Sequence, residues 1–300
     1  MSWLLLALLA PALYSASSFI DKYVIEQKVK SFATLTILGG CVALPFALGI
    51  FAVRGFTVYP LEQTILILLA GIGMELSLLP YYKAISLDDI STVAPVFQII
   101  PVFVLILSYV FLGERLTTEQ FIGFWIVITG AFILSRDKPN GTIFAIKKSF
   151  GWVMLAGILW AVPAIIFKFV TVQQGFWDAL AYEFLGVSIG AFILFLIPKF
   201  GKGFIYDVRN VSGGVWGILL SNEFIYLIGR LFGFYAIAVA PAIALVSALN
   251  GTMPLFTLVF GIILSVWFPY IVKEDIRKAV VAHKLVAILL IGAGMWFINA

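Results

Sequence analysis

Three carboxylates stand inside long apolar stretches of this sequence: Glu75, Glu183 and Glu223. An ionised carboxylate in hydrocarbon is costly unless it faces a partner or a cavity, so an acid placed there is a functional candidate. Such an acid can take up and release a proton or pair with a substrate amine. On these grounds Glu75 and Glu223 are expected to couple protons and to contact a substrate. Glu223, Tyr226 and Arg230 recur at i, i+3 and i+7 and share one helical face, as do Glu75 and Tyr82. The alternative for Glu223 is a plain ion pair with Arg230 or a helix cap. Glu183 lies on the face of Gly186 and Gly190, a small-residue spacing that suits close helix packing, and is read as a packing position.

Buried amides and prolines add a second set. Pro95 and Pro101, and again Pro241 and Pro254, interrupt apolar segments. Each proline removes a backbone donor and frees carbonyls that a cavity or neighbour must satisfy, so these segments are expected to be irregular helices around a central site. Ser91, Pro95 and Gln98 form one stripe there, and Ser247, Asn250 and Pro254 another. Gln98 and Asn250 need several hydrogen-bond partners, which a hydrophilic substrate or a neighbouring helix could supply. Tyr14, Ser18 and Asp21 align near the N-terminus, and Trp160 takes the place of Tyr14 later in the chain. Their roles as substrate contacts stand against simple core packing. The candidate binding set is therefore Tyr14, Ser18, Glu75, Gln98, Trp160, Glu223, Tyr226 and Asn250.

Other chemistries fit less well. Gly186-Val187-Ser188-Ile189-Gly190 has the spacing of a hydrolase nucleophile, but that chemistry needs a strand-to-helix turn and a base, and this match is mid-helix. The single histidine, His283, is remote, and the single cysteine, Cys41, reads as a packing residue. No metal, no cofactor and no catalytic residue is expected. Basic residues fall in connecting loops without a clustered basic face, which argues against nucleic acid and for lipid headgroups.

The elements that position these residues follow from composition. Of 300 residues 63% are hydrophobic and 11% charged, far from the balance of a water-soluble domain. The apolar blocks are long enough to cross a bilayer. They run from Trp3 to Ile20, Ser31 to Val53, Gln63 to Tyr82, Ile90 to Leu112, Phe121 to Leu134, Gly151 to Val170, Phe176 to Ile197, Gly214 to Ala236, Ala240 to Phe268 and Leu285 to Ile298. The first has no basic stretch before it and no cleavage site after it, so no removable signal peptide is expected. Trp152, Trp177, Trp216 and Trp296 sit near span ends as interfacial anchors.

The fold class read here is an all-α polytopic membrane protein of about ten helices in two inverted five-helix repeats. The first repeat covers residues 1–135, a linker loop 136–149, and the second repeat 150–300. Local matches carry the repeat: Tyr14 on Trp160, Lys22 on Lys168, Val93 on Val246, Pro101-Val102-Phe103 on Pro254-Leu255-Phe256, and Gly130-Ala131 on Gly292-Ala293. Aligning Ala84-Ile85 with Ala236-Ile237 sets Glu223 on Gly71, one turn before Glu75. A cytoplasmic N-terminus would leave only Arg54, Arg115, Lys168 and Arg230 of the 19 basic residues in cytoplasmic loops, so charge favours an outside N-terminus.

Tyr81-Tyr82-Lys83-Ala84-Ile85, Ser91-Thr92-Val93-Ala94-Pro95, Pro101-Val102-Phe103, Leu112-Gly113-Glu114-Arg115-Leu116 and Gly130-Ala131 resemble the fourth and fifth helices of an EamA-type repeat, from the drug/metabolite transporter superfamily. Ala236-Ile237, Ala240-Pro241, Val246-Ser247-Ala248 and Pro254-Leu255-Phe256 resemble the matching region of a second copy. The second half departs from the pattern, with Phe268 to Glu274 where Leu-Gly-Glu-Arg-Leu would stand. The resemblance implies ten helices in two inverted repeats, a central pathway, transport of small metabolites, often outward, and cytoplasmic termini, against the charge count.

The function read from all this is secondary transport of a small organic metabolite, an amino acid or similar, by alternating access around a central cavity, with proton-coupled export as one form. A membrane-embedded enzyme, a channel or a non-transporting scaffold is the alternative. Expected partners are a small-molecule solute, protons and membrane lipid, the chain acting as monomer or homodimer in the plasma (inner) membrane. Gly229 and Gly233 offer a close-packing face either to another helix of the chain or to a second protomer.

Overall fold

In the computed structural model, which describes residues 2–29, 31, 33–87, 96–135, 149–267 and 278–299, the described residues are helical wherever they are regular. The expected linker lies outside them except for Ser149, as do Ser91, Pro95, and residues 268–274. Ser2 opens α1 (Trp3–Gln27), its hydroxyl oxygen accepting from the Leu5 N–H. Then come α2 (Ala33–Arg54), α3 (Leu61–Leu76), α4 (Leu78–Leu87) and α5 (Ile100–Leu107). A single π turn, Ser108–Leu112, extends α5 and stops at Gly113, whose φ of 67° is the left-handed conformation that glycine adopts freely. Thr117 and Gln120 form a reciprocal capping box at the start of α6 (Thr118–Leu134).

The second half repeats the style. α7 (Phe150–Gln174) and α8 (Phe176–Leu196) are separated by Gly175 at φ 90°. α9 (Pro198–Asn210) is short, α10 (Gly213–Val239) is the longest helix described, and α11 (Ile243–Asn250), α12 (Met253–Trp267) and α13 (Lys278–Asn299) complete the chain. Among the described residues seven segments are long and apolar enough to cross a membrane, and Ile100–Leu112, Thr118–Leu134 and Lys284–Asn299 form three shorter apolar helices.

Three expected spans are broken among the described residues, that from Ile90 to Leu112 by a turn at Gln98 and Ile99 ahead of α5. The span from Gln63 to Tyr82 divides at Ser77 into α3 and α4, and the span from Ala240 to Phe268 divides at Gly251 and Thr252 into α11 and α12. Pro101 and Pro254 occupy first-turn positions of α5 and α12, where the missing donor is harmless, and Pro241 lies in the α10–α11 connection. α9 falls between expected spans. Its Asp207 is buried and accepts from Thr34 Oγ1 at 2.6 Å and from the Ser31 N–H at 3.3 Å, which ties it to the start of α2. Lys199, Lys202 and Arg209 stay exposed.

Packing is set by glycine. α6 lies along α13, α1 along α10, and α2 and α3 both along α8, while α7 meets α3, α4 and α5. A Cβ on Gly71 would stand 2.2 Å from the Glu183 carbonyl oxygen, one on Gly186 2.4 Å from that of Leu68, and one on Gly123 2.7 Å from that of Gly294. Only glycine permits these approaches. Gly229 and Gly233 pack within the chain, against Tyr14 and Ala10 of α1. Cys41, expected to pack, is exposed.

Candidate functional site

Three helices bring charge together in the interior, and a fourth adds a tyrosine. Near the end of α3, Glu75 is 6% exposed and rises beside Gly190 of α8, where a Cβ would come within 2.9 Å of the Glu75 Cβ. One face of α8 carries Glu183, 1% exposed, and α10 contributes Glu223, Tyr226 and Arg230 from the face that the spacing predicts. From α1, Tyr14 fits over Gly229 and Gly233, with its ring centroid 5.2 Å from that of Tyr226. Glu75, Tyr14 and Tyr226 all lie within the electrostatic reach of Arg230.

The ion pair is not the one weighed as the alternative for Glu223. Arg230 Nη2 donates to Glu183 Oε1 at 2.5 Å, so its partner is Glu183 and not Glu223. The guanidinium also lies 5.2 Å from the Phe184 ring centroid and 5.5 Å from that of Phe234, which gives it aromatic faces in place of water. Glu183 does pack through Gly186 and Gly190, as its spacing implies, yet it is also the counter-ion that sequence reasoning left out of the site. The cost of burying a carboxylate was the signal that pointed to it. Glu223 lies against Gly39 of α2, a Cβ there coming 3.2 Å from its Oε2, and its charged neighbours are Asp21, Glu75 and Arg230. Asp21 accepts from Asn222 Nδ2 at 2.7 Å.

The other expected contacts lie elsewhere. Trp160 joins an aromatic group with Phe97 and Tyr81, centroids 5.5 and 6.1 Å away. Gln98 reaches the α11–α12 break, where a Cβ on Gly251 would stand 2.6 Å from its Oε1. Asn250 is next to that break, and its Oδ1 is buried without a partner among the described residues. Ser18 is spent locally, donating to the Ser15 carbonyl at 2.7 Å. The side chains of Tyr82 and His283 lie outside the described residues. Ser188, of the hydrolase-like spacing, donates to the Gly40 and Phe184 carbonyls at 2.9 Å each.

A second polar knot closes one end of the helices. Lys168 Nζ donates to the carbonyls of Ile237, Ala238 and Ala240 at 2.7, 3.2 and 3.0 Å, where α10 ends. Glu114 Oε2 accepts from the Ile243 N–H at 2.9 Å, where α11 begins. Burial pushes the Glu114 carboxyl up from its ordinary value, while the Ile243 N–H, Lys168 and Ser108 pull it down.

This arrangement of α1 to α6 has known counterparts. Residues 1–136 match the model of the EamA-like transporter family. The EamA match contains Tyr14, Glu75, Gln98 and Glu114, and stops just past α6, before Glu183, Glu223 and Arg230. An uncharacterized transporter in the cobO 3′ region of Sinorhizobium sp. is 29% identical over 136 residues, 45% of this chain and 96% of that protein. An uncharacterized transporter of Archaeoglobus fulgidus is 25% identical over 249 residues, 83% of this chain and 81% of that one. A solved crystal structure shares the fold with a TM-score of 0.73 at 16% identity, across 99% of this chain and 96% of the other. With its apolar helices and its EamA match, the chain is an integral, multi-pass membrane protein.

Proposed function

We propose that this protein is a secondary transporter that moves a small organic metabolite, an amino acid or similar, across the plasma (inner) membrane by alternating access, with Glu75 and Glu223 carrying protons. The observation that carries this reading is the buried group Glu75, Glu183, Glu223 and Arg230 inside apolar helices, within a chain whose first half matches EamA-like transporters. A structural scaffold gains nothing from two further acids beside a buried ion pair, whereas a transporter can load them with protons or with solute. The relatives' names as transporters agree with it. Protons and lipid are its further partners, and one chain suffices for the site.

Ten helices in two inverted repeats, residues 1–135 and 150–300 about the linker 136–149, are part of the same proposal. Its support is recurrence of contacts. α1 lies along α10 as α7 lies along α3 and α4, and α6 pairs with α13. Gly71 packs on α8 at Gly186, and Glu223, its counterpart on the Ala84-Ile85 alignment, packs on α2 at Gly39. Gln98 and Gly251, which a shift of 153 superposes, meet each other at the paired helix breaks. Such pseudo-twofold breaks are where transporters of this architecture bind solute.

The test is transport in proteoliposomes under an imposed pH gradient. Substrate movement should follow the gradient in the wild type, and Glu75→Gln and Glu223→Gln should each abolish that dependence. Unchanged coupling in both variants would remove the two acids from the proton path.

A further inference from the structure

Resting on the transporter reading, and narrowing its substrate from an amino acid to an amine, we propose that the buried acidic group around Glu75 takes a compact organic cation, its ammonium seated between the Glu75 carboxylate and the Tyr14–Tyr226 rings, in preference to a zwitterion or an anion. The balance of buried charge leads there. Glu75, Glu183 and Glu223 are all more than nine-tenths buried, and Arg230 is the cation among them. That cation has its charge paired already: Glu183 holds Nη2, and the Phe184 and Phe234 rings stand at 5.2 and 5.5 Å, while its Nε is buried with no hydrogen-bond partner among the described residues. Glu75 Oε1 is likewise buried with no hydrogen-bond partner among the described residues, and its carboxylate has no ion pair there.

The surroundings of Glu75 can be followed helix by helix. α8 presents Glu183; α10 presents Arg230, Glu223 and Tyr226; α2 presents Cys41; and α7 meets α3 through Pro163 against Gly73. Glu223 has Asp21 as a further acidic neighbour. With the one guanidinium neutralised by Glu183, the remaining field is negative, and a protonated amine satisfies it directly. Tyr14 and Tyr226 add aromatic faces, which attract a cation and hold its carbon skeleton. A substrate carboxylate would have to sit among three buried acids, with Arg230 Nε, on a guanidinium already paired to Glu183, as the one buried donor there left without a partner among the described residues. Gly190 and Gly39 bring the helix walls to 2.9 Å from the Glu75 Cβ and 3.2 Å from Glu223 Oε2, measured from where a Cβ would be, so the cation must be small.

The experiment uses three four-carbon probes of matched size: n-butylamine, 4-aminobutyrate and butyrate. Thermal unfolding of the detergent-purified full chain is followed with each, since a ligand of the folded state raises its melting temperature. n-Butylamine should raise the melting temperature of the wild type, and 4-aminobutyrate and butyrate should not. The shift should vanish in Glu75→Gln, persist in Glu75→Asp, and shrink in the wild type as pH falls, because protons compete for the same carboxylate. A shift from 4-aminobutyrate or butyrate as large as that from n-butylamine would overturn the proposal, as would no shift from any probe or an undiminished one in Glu75→Gln. Proteoliposome assays separate this from the broader reading. Glu75-dependent transport of the zwitterion alone would sink the cation preference and keep the transporter, whereas n-butylamine binding without transport of any probe would do the reverse.

Discussion

Arg230 and Glu183 make the sharpest single-residue case. Both are almost fully buried, and their pairing is between helices, from α10 to α8. Two charges removed from water gain little net stability together, but removal of one leaves the other uncompensated. Arg230→Met should therefore destabilise the folded protein by about 3–5 kcal/mol, seen as a large fall in melting temperature, and Arg230→Met with Glu183→Met should recover most of it. Additive losses in the double variant would mean that the two residues act separately. Glu75 needs no such rescue, since its Oε1 has no partner to lose among the described residues.

Helices meet here by the absence of side chains. A Cβ on Gly186 would lie 2.4 Å from the Leu68 carbonyl oxygen and 3.0 Å from the Gly71 Cα, both backbone atoms that can yield only if α3 and α8 separate. Gly186→Ala is expected to cost about 1–3 kcal/mol, whereas Gly292→Ala, with nothing within 4 Å, should leave the melting temperature unchanged. At the other kind of contact, Lys168 and Glu114 secure the end of α10 and the start of α11. A carboxyl whose pKa is raised in the fold stabilises it most when protonated, and that contribution fades as pH rises through its folded pKa. Lys168 opposes the rise, so Lys168→Met should raise the Glu114 pKa further and deepen the loss at higher pH. Its melting deficit should grow from acidic to neutral pH on top of a constant loss from the uncapped carbonyls. The growing part should disappear in Lys168→Met with Glu114→Gln.

At the scale of the whole molecule, an even number of spans returns the chain to the side on which it began. Ten helices require Trp3 and Asn299, the described ends of α1 and α13, to open on the same side of the membrane. Reporter fusions at the two termini should give the same sidedness, and opposite results would reject the ten-span arrangement. The same experiment decides between the charge count, which favours outside termini, and the EamA resemblance, which implies cytoplasmic ones. α9 carries Lys199, Lys202 and Arg209 on the side where α2 begins, because Asp207 is bonded to Ser31 and Thr34.

Sequence alone determined the helical, membrane-embedded class, the positions of the seven long apolar spans to within a few residues, the EamA resemblance and the shared face of Glu223, Tyr226 and Arg230. These follow from hydropathy over a bilayer's thickness and from the 3.6-residue period, both local properties of the chain. The helix break at Ser77, the α9 tether and the identity of the Arg230 partner were decided only by tertiary structure. Glu183 is 47 residues from Arg230, and Asp207 is 173 from Thr34. No local pattern reports a contact across such separations, and the facing helix alone determines which buried acid forms the ion pair.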